Sequence, residues 1–183
     1  MKKNTKVNSK FTPFPVLTSE RLTLRQATKA DLEEVFYLRS DKEINQYIKG
    51  ATSKNMEEVK AFLEMISEAE RIGKSVYWGI NLGGNSKMIG SICLWNFSEN
   101  EKVAEVGYGL GLDFQNQGIM SEALQCVLVY GFNDLGLQEI EAYTHHQNEA
   151  SKRLLVKNGF HLIEGKKDEY NADNLVFGIK PRI

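Results

Sequence analysis

The spacing of apolar residues changes period several times along the chain, and each change marks an element. Between residues 20 and 26, Leu22 and Leu24 fall on one face and Arg21, Thr23 and Arg25 on the other, the alternation of a half-buried strand. Thr28 then offers a helix cap with Asp31 in the first turn, and Leu32, Val35, Phe36 and Leu38 follow at helical spacing. A short segment from Asp41 to Ile48 stops before Gly50. A longer helix is predicted after a cap at Thr52 or Ser53, with Val59, Phe62, Leu63 and Ile66 on its apolar face. Strands then take over: Val76 to Leu82, a Gly83-Gly84-Asn85 hairpin turn, a return strand from Met88 to Phe97, a turn over Glu99 to Lys102, and a third strand from Val103 to Leu112.

A helix from about Ile119 to Leu135 turns Ala123, Leu124, Val127, Leu128 and Phe132 inward. It is followed by a strand over Gln138 to Thr144, a helix over Asn148 to Asn158, and strands over Phe160 to Gly165 and Leu175 to Lys180. Residues 1 to 15 are mostly polar and end in Pro13 and Pro15, so they read as a flexible tail before a single domain over 16–183. The order implies an α+β fold with a mixed, mostly antiparallel central sheet flanked by helices. The stretch from 103 to 144 calls for a parallel crossover, whereas the hairpins are antiparallel.

Composition narrows the class. With 183 residues, 42% hydrophobic and 26% charged, the chain has the make-up of one globular domain. A net charge of −1 gives no basic excess for nucleic acid. No run approaches the roughly eighteen apolar residues that a membrane span requires. The basic start, MKKNTKVNSKFTPFP, lacks the apolar centre of a secretory signal. Cys93 and Cys126 lie in apolar surroundings and suit buried free thiols in a reducing compartment. The cytoplasm is the expected location.

The chemistry concentrates where the third strand meets its helix. Ala104, Val106, Tyr108, Leu110 and Leu112 share the core face of that strand; Glu105, Gly107, Gly109 and Gly111 share the other. Glycine inside a strand packs nothing. Three at alternate positions suggest a crowded sheet face, a bulge, or room left for something else. The strand then runs into Gln115-Asn116-Gln117-Gly118-Ile119-Met120-Ser121. A helix starting near Gly118 presents unpaired backbone N–H groups with the positive end of its dipole behind them, which suits an anion without any lysine. Glu122 in the first turn should point away from such an anion. The loop is neither a Walker phosphate loop nor a dinucleotide fingerprint.

The segment Gln115-x-x-Gly118-x-Met120, after the strand Ala104-Glu105-Val106-Gly107-Tyr108, resembles the GNAT N-acetyltransferase family. There the pattern Gln/Arg-x-x-Gly-x-Gly/Ala holds the pyrophosphate of acetyl-coenzyme A on backbone amides. The match is closest to the RimJ/RimL type, which acetylates ribosomal-protein N-termini. "SERLTLRQATKADLEEVFYLRSD" is similar to that branch's opening strand and helix, "NEASKRLLVKNGF" to its Asn-x-x-Ser helix, and "EYNADNLVFGIK" to its closing hairpin. The likeness spans residues 19 to 180. Met120 stands where the wider family has Gly or Ala, but an unbranched side chain leaves its amide free.

The resemblance implies a direct transfer of acetyl from acetyl-coenzyme A to a primary amine, without a metal. It implies cofactor contacts from Gln115, Asn116, Gln117, Gly118, Met120 and Ser121. It also implies that the N–H groups of Leu110 and Leu112 pair with the pantetheine arm. Such chemistry needs a base for the amine, donors for the oxyanion and, for the thiolate, at most a proton. Glu105 is the candidate base; a strand glutamate facing solvent or pairing with a lysine is the other reading. Asn148 is a good helix cap with Ser151 three residues on, and the resemblance adds an Asn148–pantetheine contact and a thiol contact or proton donation from Ser151. The tyrosine that other branches carry seven residues after the asparagine is Leu155 here. The proton donor is therefore Ser151, Tyr108, Tyr143 or water.

His145 and His146, adjacent on a strand end, should face opposite ways and form no metal pair. Lys152 and Arg153 are candidates for a terminal phosphate or for plain solvation. Trp78, Trp95 and Phe97 read as core. The acceptor pocket is expected around Tyr47, around Trp95 to Phe97 and in the loop Lys166 to Asp173. A protein N-terminal amine is the first acceptor to consider. A small amine (a polyamine, amino acid or drug) or a non-catalytic acyl-coenzyme A module are the rivals, and a homodimer is an open possibility.

Overall fold

The computed structural model describes residues 10–50 and 52–181. Among these residues eight strands form one sheet in the order β1-β2-β3-β4-β5-β6-β8-β7. They are β1 (Leu17–Thr18), β2 (Leu22–Gln26), β3 (Val76–Leu82), β4 (Met88–Trp95), β5 (Val103–Leu110), β6 (Glu139–His145), β7 (His161–Leu162) and β8 (Asn174–Ile179). Every neighbouring pair is antiparallel except β5 and β6. That parallel pair lasts only from Val103↔Glu139 to Glu105↔Glu141. The connection between them crosses through a helix, as parallel neighbours require.

Among the described residues four α-helices flank the sheet: α1 (Leu32–Ser40), α2 (Met56–Arg71), α3 (Ile119–Val129) and α4 (Glu149–Lys157). On one face, Val35 and Leu38 of α1 and Val59, Leu63 and Ile66 of α2 bury against Tyr77 and Met88. On the other, Ala123, Leu124 and Val127 of α3 pack on Trp78, Ile92, Leu94 and Val106. The two periods in the sequence, 2 along strands and 3.6 along helices, converge on these two apolar layers.

Several boundaries differ from the expected ones, each for a local reason. Helix α2 is capped by Asn55, whose side chain accepts from Glu58 N at 3.0 Å. Ser53 is instead buried and accepts from Arg39 Nε at 3.0 Å. Strand β5 ends at Leu110, and a 3-10 turn over Leu112–Phe114 follows. Helix α3 runs on through a π turn, Tyr130–Asp134, where a Cβ at Gly131 would lie 2.8 Å from Ile140 Cδ1. The strand expected over Phe160 to Gly165 shortens to His161–Leu162. Residues 10–15 are no loose tail: Phe11 is buried in the main core, and the carbonyl of Pro15 accepts from Trp78 Nε1 at 2.6 Å. Residues 1–9 lie outside the described ones. Both cysteines are free and only half-buried. Among the described residues no helix is long and apolar enough to cross a membrane.

Candidate active site

The short parallel pairing creates the site. After Glu105↔Glu141 strands β5 and β6 part. Gly111 N donates to Ile89 O at 2.9 Å, which places the backbone groups of odd-numbered β5 residues toward β4. By that alternation the N–H groups of Tyr108 and Leu110 turn to the opened edge. A cleft of about 670 Å³ lies along this edge, lined among others by Tyr108 to Leu110, Gly118 to Ser121 and Asn148 to Ser151. Leu112, Gln115 and Asn116 line it as well.

The three strand glycines have three different surroundings. A Cβ at Gly109 would meet nothing within 4 Å, so that position is open space beside the cleft. At Gly111 it would come 3.2 Å from Ile89 O and 3.3 Å from Tyr37, so glycine there relieves crowding. At Gly107 it would sit 3.3 Å from Cys93 Sγ.

The loop before α3 is shaped to turn its amides outward. Asn116 and Gly118 both take left-handed backbone conformations, with φ of 60° and 75°. Glu122 N bonds to Gly118 O, so the N–H groups of Ile119, Met120 and Ser121 have no partner within the helix. Together these make a concave nest of donors at a positive helix end. Glu122 points away, as expected: it accepts from Ser19 Oγ at 2.6 Å, from Arg21 N at 3.0 Å and from Arg21 Nε at 2.7 Å. Burial pushes the Glu122 carboxyl up, but these bonds outweigh it and hold it below its ordinary range. Arg21 also donates to Gln117 O at 3.2 Å and so buttresses the loop from outside. Nothing in the local pattern foretold this contact across about a hundred residues of chain.

Several expected cofactor residues have structural work in their side chains. Gln115 Nε2 holds Leu110 O at 3.1 Å, and Ser121 Oγ donates to Asn158 Oδ1 at 3.0 Å. Asn148 caps α4, accepting from Ser151 N at 3.0 Å. Gln117 turns back to Asp113 O at 2.7 Å and does not line the cleft. The N–H of Leu112 is taken by Tyr37 Oη at 3.2 Å, which corrects the expectation that it is free for pantetheine. Lys152 pairs with Glu149 at 2.6 Å, whereas Arg153 does face the cleft.

The candidate proton-handling groups fall into two sets. Tyr108 Oη and Ser151 Oγ are 2.8 Å apart in the cleft. Burial pushes the Tyr108 phenol up to about 12, so it stays protonated at neutral pH. Tyr143, by contrast, donates to Glu141 Oε2 at 3.1 Å beyond the splay. Glu105 sits at the point of parting, with Asn96 Nδ2 donating to its Oε2 at 2.9 Å. Its carboxyl is raised: burial is the largest cause, Asn96 opposes it, Asp168 and Glu141 add to it, and Lys166 opposes it.

On the acceptor side, Lys49 reaches Asn171 Oδ1 and Asp173 Oδ2, each at 2.8 Å, and so joins the segment after α1 to the loop before β8. Tyr47 packs on His145 with ring centroids 5.3 Å apart. His145 and His146 do not diverge as expected. Strand β6 ends at His145, so alternation stops there and the two rings stack at 4.6 Å. With Asp173 they bring three potential ligand atoms within 4.8 Å, a grouping that adjacency alone did not reveal. Trp95 is 46% exposed rather than core, whereas Trp78 is fully buried.

The comparisons with known proteins agree with this geometry. A model described as "Acetyltransferase (GNAT) domain" matches residues 21–161. The chain is 32% identical to an uncharacterized N-acetyltransferase, YoaA, of Bacillus subtilis (strain 168), over 161 residues covering 88% of this chain and 90% of that one. A structure of RimL, a ribosomal L7/L12 alpha-N-protein acetyltransferase in complex with coenzyme A, superposes with a TM-score of 0.77 at 20% identity, covering 91% and 98% of the two chains. A ribosomal-protein-S5-alanine acetyltransferase from Vibrio fischeri does so at 0.77 and 21% identity, covering 91% and 96%. The fold is shared with both. The chain belongs to the GNAT acetyltransferase family and is an N-acetyltransferase.

Proposed function

We propose that this enzyme transfers the acetyl group of acetyl-coenzyme A directly to a primary amine, with a protein N-terminus as the acceptor. The observation that carries the reading is the cleft along the opened edge of β5, closed at one end by the amide nest of Asn116 to Ser121. The residues fit such a donor: an anion-binding nest, an open position at Gly109 and outward N–H groups on Tyr108 and Leu110. Acetyl-coenzyme A supplies an activated thioester. In this reading the amides at the start of α3 bind its pyrophosphate, and Leu110 N–H orients the acetyl carbonyl. Glu105 takes the ammonium proton, directly or through water. The Tyr108–Ser151 pair meets the departing sulfur and offers it a proton, although a thiolate leaves readily at neutral pH. The ribosomal-protein acceptor is supported by the names of the two structural neighbours above.

A small cationic amine is the second reading, and one observation favours it. The carboxylates of Glu105 and Asp168 near the splay are held by neutral donors: Asn96 for the first, Tyr170 N and Asn174 Nδ2 for the second. Calorimetric titration with acetyl-coenzyme A, with ATP as competitor, tests the donor. Micromolar binding that ATP leaves unchanged is the expected result; no binding overturns the proposal. Peptides headed by alanine or serine, set against spermidine in the same transfer assay, decide between the acceptors.

Replacing Tyr108 by Phe is expected to lower the turnover rate by about tenfold or less, since a thiolate needs little help. Steady-state kinetics at saturating acetyl-coenzyme A check this. A loss beyond about a hundredfold would make proton donation to sulfur a dominant step.

A further inference from the structure

Glu105 has a second carboxylate beside it. Glu141 is its register partner on β6, at the last position before the strands part. Adjacent residues of paired strands lie about 5 Å apart and share a face. Glu141 is buried, yet the transfer chemistry gives it no task. Its charge is instead matched by Lys166, whose Nζ lies 2.5 Å from Oε1 and 2.7 Å from Oε2. Tyr143 Oη donates to Oε2 as well. Lys166 belongs to the loop between β7 and β8, the same loop that Lys49 ties down through Asn171 and Asp173.

On the reading that Glu105 is the base, we infer that Glu141 and Lys166 are positioning residues: Lys166 offsets part of the negative charge that Glu141 places next to Glu105, and the pair so sets the pH above which that base is available. The physics is that of a carboxylate dyad. Two like charges in one site cannot both ionise easily, so one proton is retained at higher pH. Lys166 limits this by pairing with Glu141. The ionisable groups coupled to Glu105 come from three elements: Cys93 on β4, Glu141 and Tyr143 on β6, and Lys166 and Asp168 on the loop. Among them only Lys166 is a cation.

The test is the titration of the Glu105 side-chain carboxyl, followed by carbon NMR in the whole protein, beside the acid limb of kcat/KM for an alanine-headed peptide. In Lys166→Met both are expected to move up by about one pH unit, because an unpaired Glu141 charge disfavours ionisation of Glu105. In Glu141→Gln both should move down. Lys166→Met placed in the Glu141→Gln background should bring both back up toward the wild-type values, since neither charge then remains beside Glu105, and Lys166→Arg should restore the normal profile. A loop that merely needs fastening would change KM in Lys166→Met without moving either titration, and that result overturns the inference. If Lys166→Met does not fold, Glu141→Gln decides: an unmoved Glu105 titration overturns it equally. Failure of the underlying reading looks different, as Glu105→Gln would then keep its rate.

Discussion

Glu105→Gln is expected to lower kcat by about 10²- to 10³-fold while leaving acetyl-coenzyme A affinity within about twofold. The substitution keeps the size of the side chain and an oxygen for Asn96 Nδ2, so the local packing of β5 survives. What disappears is the carboxylate at the strand parting that the proposed mechanism uses to take a proton from an incoming amine. An α-amine of pKa near 8 is mostly protonated at neutral pH, so removing the base strands it in the unreactive form. The pH dependence has a definite sign. Burial raises the Glu105 carboxyl above its ordinary value of 4.5. The rate should therefore fall on the acid side at a pH higher than an exposed glutamate would give, as Glu105 becomes protonated. Raising the pH past the amine's own pKa should partly rescue Glu105→Gln, since the amine then arrives neutral. Calorimetry and stopped-flow rates on the same preparation check both halves. An unchanged kcat at neutral pH would remove Glu105 from the chemistry.

Gly118→Val is expected to weaken acetyl-coenzyme A binding by about a hundredfold and to cost about 1–2 kcal/mol of stability. The reason is backbone conformation, not space. A Cβ at Gly118 would lie 3.7 Å from Arg21 Nη2, an ordinary contact. The φ of 75°, however, is a region that a β-branched residue enters only with strain. Relaxing that strain flattens the loop and turns the amides of Ile119 to Ser121 out of the cleft. Gly118→Asn is the matched control, because asparagine tolerates the left-handed region and should retain most of the affinity. Thermal melts and titration calorimetry separate the two effects. Full affinity in Gly118→Val would show that the donor's phosphates bind elsewhere.

Most of the fold was legible because it is written in local periodicity. The Thr28 cap with Asp31 and the Asn148 cap lie within windows of a few residues, the meander of β3 to β5 follows from short turns between alternating segments, and the parallel crossover follows from the helix between two strands; all stand where the pattern puts them. The boundaries that shifted are those decided by competition. Ser53 has the chemistry of a cap but is used by Arg39, so Asn55 caps α2 instead. Phe11 lies in a polar stretch that reads as a tail, yet the core accepts it.

The site divides along the same line. The sequence by itself determined the loop with its left-handed glycine, the alternation that separates Glu105 from Tyr108, and the capped helix bearing Ser151. Each follows from backbone geometry over short range, where residue type and spacing fix the outcome. Only the tertiary structure decided which groups meet. It paired Tyr108 with Ser151, gave the Leu112 N–H to Tyr37, and set Arg21 behind the loop. It also placed Glu141 and Lys166 beside Glu105 and gathered His145, His146 and Asp173. These are contacts between elements far apart in the chain. They depend on the register of β5 against β6 and on where that register stops, and a sheet register is set by the packing of both faces at once.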